Sequence, residues 1–207
     1  GRRLIHHRAR HRQRAIVVLH RGWINRAVRI EDRPCAVVLD PAHIPEGLND
    51  SKALTAKRRE ALTAEILRTA EVSIAEASVA EIDTLNILRA SHLAMVRALQ
   101  GLSRLPDMAL IDGNLLPRDM PSPGRTLIKG DALSLSIAAA SIVAKTTRDT
   151  LMMDLAQQFP GYGWEKNAGY PSPAHKQALL DLGVTPHHRR SFKPIHNILY
   201  QAKTISD

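Results

Sequence analysis

Two carboxylates carry the first hint of chemistry. Asp112 ends a short apolar run, residues 108–112 (MALID), and Asp131 lies just past a second, residues 125–129 (RTLIK). Both runs read as strands, and in open α/β sheets ligands gather at the carboxyl ends of strands, where loops and helix N-termini open. Two acids brought together there repel. A divalent cation with a preference for hard oxygen donors, Mg²⁺ or Mn²⁺, resolves that conflict. The same residues fit a plainer reading as turn acids, because Asp112-Gly113-Asn114 is a turn signal and Gly130-Asp131 stands ahead of a helix.

A second group is suited to anions. Asn49, Ser51 and Lys52, with Asp50 among them, put an amide, a hydroxyl, an ammonium and backbone N–H groups ahead of a helix. That combination suits phosphate, and simple N-capping fits it equally well. Lys145, inside an Ala-rich helix, either snorkels to solvent or meets a phosphate. Tyr170 follows Gly169 in a loop, placed either to stack on a sugar or base or to plug a surface groove. His187-His188-Arg189-Arg190 reads as a solvated charge cluster.

These residues need elements to hold them, and the patterns alternate as in an α/β domain. Residues 35–40 (CAVVLD) form a β-branched run stopped by Pro41, and residues 71–77 alternate with the period of a strand. Residues 55–70 read as a helix on propensity. Ser78 and Glu81 make a capping box for one long helix, whose apolar stripe runs Ile82, Leu85, Leu88, His92, Met95/Val96 and Leu99. Residues 134–158 read as a helix with an Ala-rich first half, 161–173 as an ordered loop, and 173–182 as a short helix closed by Gly183.

The charge is unevenly spread. The 207 residues carry a net +9, but residues 1–34 hold ten arginines against only Glu31 and Asp32, a net +8. The other 173 residues, with 19 basic and 18 acidic side chains, are nearly neutral. The composition break near residue 34 separates an atypical Arg-rich segment, 1–34, from a domain over residues 35–207. Basicity therefore says little about what the domain binds. The longest mainly apolar stretch, residues 137–144, falls far short of the roughly 20 residues that span a bilayer. A single Cys35 cannot form an intramolecular disulfide, so a cytoplasmic location is expected. The first segment has no apolar core of a secretory signal, and no Ser or Thr before Ser51 to suit a transit peptide.

Taken in order, the motifs resemble ribonuclease HII. They are residues 48–52 (LNDSK), 77–86 (ASVAEIDTLN), 111–114 (IDGN), 129–131 (KGD), 136–149 (SIAAASIVAKTTRD), 166–171 (KNAGYP, where the family usually has KHKGYP) and 188–194 (HRRSFKP). They span roughly residues 35–199 with family-like spacing. The resemblance implies an α/β, RNase H-like fold, with a mixed five-stranded sheet flanked by helices and a C-terminal helical extension. It implies endonucleolytic hydrolysis of RNA in RNA–DNA hybrids and nicking 5′ to single ribonucleotides in duplex DNA, by two-metal chemistry with Mg²⁺ or Mn²⁺. By motif match, Asp112 and Asp131 are two of the family's four metal-binding carboxylates and so its catalytic residues here. Asn49, Ser51, Lys52 and Lys145 match positions near the scissile and neighbouring phosphates, and Tyr170 matches the tyrosine that packs on the sugar after the ribonucleotide. Asp149 is assigned to structure. The expected partners are an RNA–DNA hybrid or a DNA duplex containing ribonucleotides, with no membrane, and the expected state is a monomer.

The match fails before residue 35. The family's first strand ends in Asp-Glu followed by Ala-Gly-Arg-Gly, which supplies the other two carboxylates and reads the 2′-hydroxyl. The corresponding window, residues 19–34 (LHRGWINRAVRIEDRP), has Glu31-Asp32 in reversed order followed by Arg-Pro. One account is a frame shift in the coding sequence. A Val-Asp-Glu-Ala-Gly-Arg-Gly segment read one base late begins Trp-Met and places Ala-Val four residues after the Trp. Trp23-Ile24 and Ala27-Val28 follow that spacing, with Ile in place of Met.

Overall fold

Alternation along the short strands decides which helix each residue meets. The computed structural model describes residues 33–200. These fall into two units, residues 33–76 with 91–147, and residues 77–90 with 148–200. In the first unit, β1 (Cys35–Val38) pairs antiparallel with β2 (Glu71–Ile74), Cys35 opposite Ile74, while helix α1 (Ala56–Thr69) connects the two. β3 (Ala109–Asp112) pairs parallel with β4 (Gly124–Leu127), Asp112 opposite Leu127. Among the described residues the strands thus form two two-stranded pieces rather than the five-stranded sheet expected. The parallel and antiparallel mixture holds. The family's first strand corresponds to residues outside the described ones.

Odd and even positions separate cleanly. Cys35 and Val37 pack on Leu62 and Ile66 of α1 and on residues 137–144 of helix α4 (Leu135–Gln158), with Leu110 and Leu127 against the same cluster. Ala36, Ala109 and Ile111 point the other way, onto Met95, Ala98 and Leu99 of helix α3 (Ile87–Gln100). Each Val, Leu, Ile or Met side chain among these contributes roughly 1.5–3 kcal/mol when removed from water. Residues 136–144 are buried all round, which their small Ala and Ser side chains allow. Burial pushes the Cys35 thiol far above its ordinary range, so it is a packing residue and not a nucleophile.

The second unit is helical. Helix α2 (Val79–Leu85) opens on the expected capping box, with Ser78 accepting from the Glu81 N–H and Glu81 accepting from the Ser78 N–H. The long helix expected after it is two helices. Asn86 takes φ 67° and ψ 162°, a region nearly reserved for glycine, and its Oδ1 accepts from the N–H groups of Leu88 and Arg89 at the start of α3. Helix α5 (Trp164–Asn167) interrupts the expected 161–173 loop, α6 covers Pro173–Leu182 as expected, and α7 (Lys193–Tyr200) follows. Their core gathers Met152, Leu155, Tyr162, Trp164, Ala178, Leu179 and Ile195. His188 and Arg189 are buried, so the 187–190 segment is not the solvated cluster expected. No described helix is long and apolar enough to cross a membrane.

Candidate active site

Parallel pairing puts the carboxyl ends of β3 and β4 at the same end, and both acids sit there. The Gly113 N–H donates to the Leu127 carbonyl (2.9 Å), extending the ladder one residue past Asp112. Beyond β4, Lys129 adopts a left-handed conformation (φ 56°) and turns the chain into a single 3₁₀ turn, Gly130–Ala132, which contains Asp131. The Gly130 N–H donates to Asp112 Oδ1 at 2.8 Å. Asp112, buried at 8% exposure, is therefore bonded to the residue immediately before Asp131, which is half-buried. Packing fixes the glycine: a Cβ on Gly130 would lie 2.3 Å from Cδ1 of Ile137, itself fully buried.

These two carboxylates are hard oxygen donors. Among the described residues no group of three or more His, Cys, Asp or Glu side chains converges in a metal-binding arrangement. Mg²⁺ is commonly held by one or two carboxylates with water and substrate phosphate completing the shell, and these two side chains have the donor chemistry for it.

The anion loop differs from a helix cap. Thr55, not Ser51, caps α1, its side chain accepting from the Arg58 N–H. Ser51 is fully buried, with its hydroxyl 2.9 Å from that of Ser141 on α4. Asp50 accepts from the Lys52 N–H (2.9 Å), and Asn49 accepts from the Asp50 N–H (2.8 Å). This leaves the Asn49 and Lys52 side chains on the exposed side. Arg59, which no sequence signal singles out, donates to the carbonyls of Ser51 (3.0 Å) and Leu54 (2.6 Å) and so brings a guanidinium into the loop. Lys145 is half-buried on α4, one turn beyond Ser141 and on the same face. The Ser51–Ser141 contact therefore brings the loop and the Lys145 face of α4 together in the first unit.

Tyr170 belongs to the second unit. Its N–H donates to the Asn167 carbonyl and its carbonyl accepts from the Ser172 N–H, both at 2.8 Å. Asn167, where the family has His, bonds the Gly169 N–H and the Tyr162 carbonyl, and Arg148 donates to the Ala168 carbonyl (2.7 Å). The backbone around Tyr170 is thus fixed on both sides, and its ring is half-buried.

Nearby in the same unit lies a feature with no sequence signal: His175 and His188, 13 residues apart, meet Nε2 to Nε2 at 3.3 Å. The Thr185 N–H points at His188 Nδ1 (3.0 Å), so that nitrogen is the acceptor and His188 carries its proton on Nε2. That proton is donated to His175 Nε2, which leaves His175 Nδ1–H to donate to the Tyr162 carbonyl (3.2 Å). Both rings are neutral in this arrangement, a tautomer assignment made from the hydrogen bonds. Burial, reinforced by His175, lowers the His188 pKa to about 4, and burial lowers that of His175 as well.

The profile of a protein family described as Ribonuclease HII matches residues 35–195. A ribonuclease HII of Cereibacter sphaeroides (strain ATCC 17025) is 68% identical over 171 residues, 83% of this chain and 81% of that protein. One of Ruegeria pomeroyi is 69% identical over 166 residues, 80% and 71% of the two chains. Among solved structures, ribonuclease H2 from Pyrococcus horikoshii superposes with a TM-score of 0.77 at 22% identity, covering 93% of this chain and 99% of the other. Bst-RNase HIII in complex with Mn²⁺ superposes with a TM-score of 0.72 at 16% identity, covering 93% and 71%. At these identities the structures speak for the fold alone.

Proposed function

Because the chain belongs to the ribonuclease HII family, we propose that it is an endoribonuclease acting on the RNA of RNA–DNA hybrids and nicking 5′ to ribonucleotides embedded in duplex DNA. The observation that carries this reading is the Gly130 N–H bond to Asp112, which ties the acid at the end of β3 to the turn after β4 that contains the acid of the second family motif. Asp112 and Asp131 would hold Mg²⁺ or Mn²⁺. When bound, such ions activate water for attack and stabilise the leaving 3′-oxygen in a two-metal phosphodiester hydrolysis.

The chain's own residues do the rest. Lys52, Asn49 and Lys145 contact phosphates on either side of the scissile bond. Ser51 acts by positioning, because its buried hydroxyl is engaged with Ser141. Tyr170 packs on the sugar that follows the ribonucleotide.

A second reading is a catalytically inactive, nucleic-acid-binding remnant of the same fold. By motif match Asp112 and Asp131 supply half of the set the family uses, and residues 19–34 do not carry its Asp-Glu pair. The test is a nicking assay with Mg²⁺ or Mn²⁺ on a DNA duplex containing one ribonucleotide. The polypeptide as written is expected to bind with little or no nicking, and a chain with Asp-Glu-Ala-Gly-Arg-Gly restored in the first segment is expected to nick. Robust nicking by the written chain would sink the remnant reading; a restored chain that binds and never nicks would sink the hydrolytic one. The coding sequence for residues 1–40 decides separately whether a single-base shift recovers that motif.

A further inference from the structure

Residues 185–191 are held at both ends within the second unit. At one end Thr185 and His188 bond each other, and His188 bonds His175. At the other end stands Asp83 of α2, 107 residues away in sequence. Its Oδ2 accepts from the Arg190 N–H (2.9 Å), and its Oδ1 accepts from the Ser191 N–H (2.9 Å) and the Ser191 hydroxyl. An aspartate next to a basic segment ordinarily takes a guanidinium. This one spends its acceptors on main chain and a hydroxyl.

The consequence falls on the cations. Arg189 is buried with its guanidinium over the Phe192 ring, 5.5 Å from the centroid. Arg190 and Lys193 stay exposed, with no acidic partner among the described residues. Two uncompensated cations on a pinned backbone are partly preordered for an anion. Binding them to a phosphate orders side chains only, because the backbone ordering has been done on folding.

We infer that Asp83 is a positioning residue for nucleic-acid binding, clamping the 190–191 backbone so that Arg190 and Lys193 meet backbone phosphates of the duplex. This rests on the ribonuclease H reading for its ligand. The contact is sequence-independent and is felt in affinity and salt dependence rather than in the chemical step.

The test uses the full chain and a fluorescently labelled RNA–DNA hybrid in chelator, with binding measured by anisotropy across a salt series. Arg190→Ala and Lys193→Ala are each expected to lower the slope of log affinity against log salt by about 1. Asp83→Asn is expected to weaken binding by a similar factor, with no further loss when combined with Arg190→Ala and Lys193→Ala. Additive losses, or an Asp83→Asn chain that binds like the parent, would overturn the inference. If Asp83→Asn also lowers the melting temperature, the two cation variants decide: an unchanged salt slope in both refutes the proposal. A restored Asp-Glu-Ala-Gly-Arg-Gly chain that nicks while both cation variants keep the parent's slope fails this inference alone, whereas a restored chain that binds with these losses and never nicks fails the hydrolytic reading alone.

Discussion

At the scale of single residues, Gly130 does two jobs that exclude a side chain. Its N–H holds Asp112, and its missing Cβ makes room for Ile137. Gly130→Ala should destabilise the chain by about 1–3 kcal/mol through overpacking. The clash is with Cδ1, the atom that Ile137→Val deletes, so the two changes together should cost less than the sum of each alone. Urea unfolding of the four chains measures that coupling, and strict additivity would show that the contact is not responsible. The acids themselves were legible in the sequence, one as the last residue of a short apolar run and the other just past the end of a second. The bond between Gly130 and Asp112 was not, because it spans 18 residues and depends on parallel pairing that no local pattern specifies. The His175–His188 and Asp83–Ser191 contacts were hidden because they too join residues far apart in sequence, and burial of His188 and Arg189 reversed the solvated reading of their segment.

Among the elements, local signals were dependable where one side chain closes one hydrogen bond. The Ser78–Glu81 box and the Pro173–Leu182 helix are found where the sequence placed them. The break at Asn86 was invisible because the apolar stripe from Ile82 to Leu99 runs through it in phase, and periodicity cannot register one residue that leaves the helix and returns. Asn86 tolerates φ 67° at some strain and offsets it by capping two N–H groups. Asn86→Gly should relieve the backbone and lose the cap; Asn86→Ala should lose the cap and keep the strain. Alanine is therefore expected to be worse by about 1 kcal/mol, read as the difference in melting temperature. Equal melting temperatures would mean that the cap alone matters there.

For the whole molecule, the mixed α/β class and the family are shown, with the ribonuclease HII profile beginning at Cys35, next to the composition break near residue 34. Of the segment without the family's motifs, residues 1–34, all but the last two lie outside the described residues. Stability should depend on pH through the second unit. His175 and His188 have pKa values lowered in the folded state, so the unfolded chain takes up protons first as pH falls through about 6.5. Stability is then fully present above that pH and lost progressively down to about 4, the folded value of His188. The melting temperature should fall over that window, and His188→Gln should flatten the fall even if it lowers stability at neutral pH; an unchanged slope would exclude the pair as its source. Tyr162 and His187 also face this site and stay in place in that comparison. The pair has an optical consequence as well. Trp164 is fully buried, its ring 22° from parallel with His175 and 5.3 Å from His188 centroid to centroid. An imidazolium quenches indole emission where a neutral imidazole does not, so in a Trp23→Phe chain the fluorescence of this single tryptophan becomes a built-in gauge of when the unit takes up its proton.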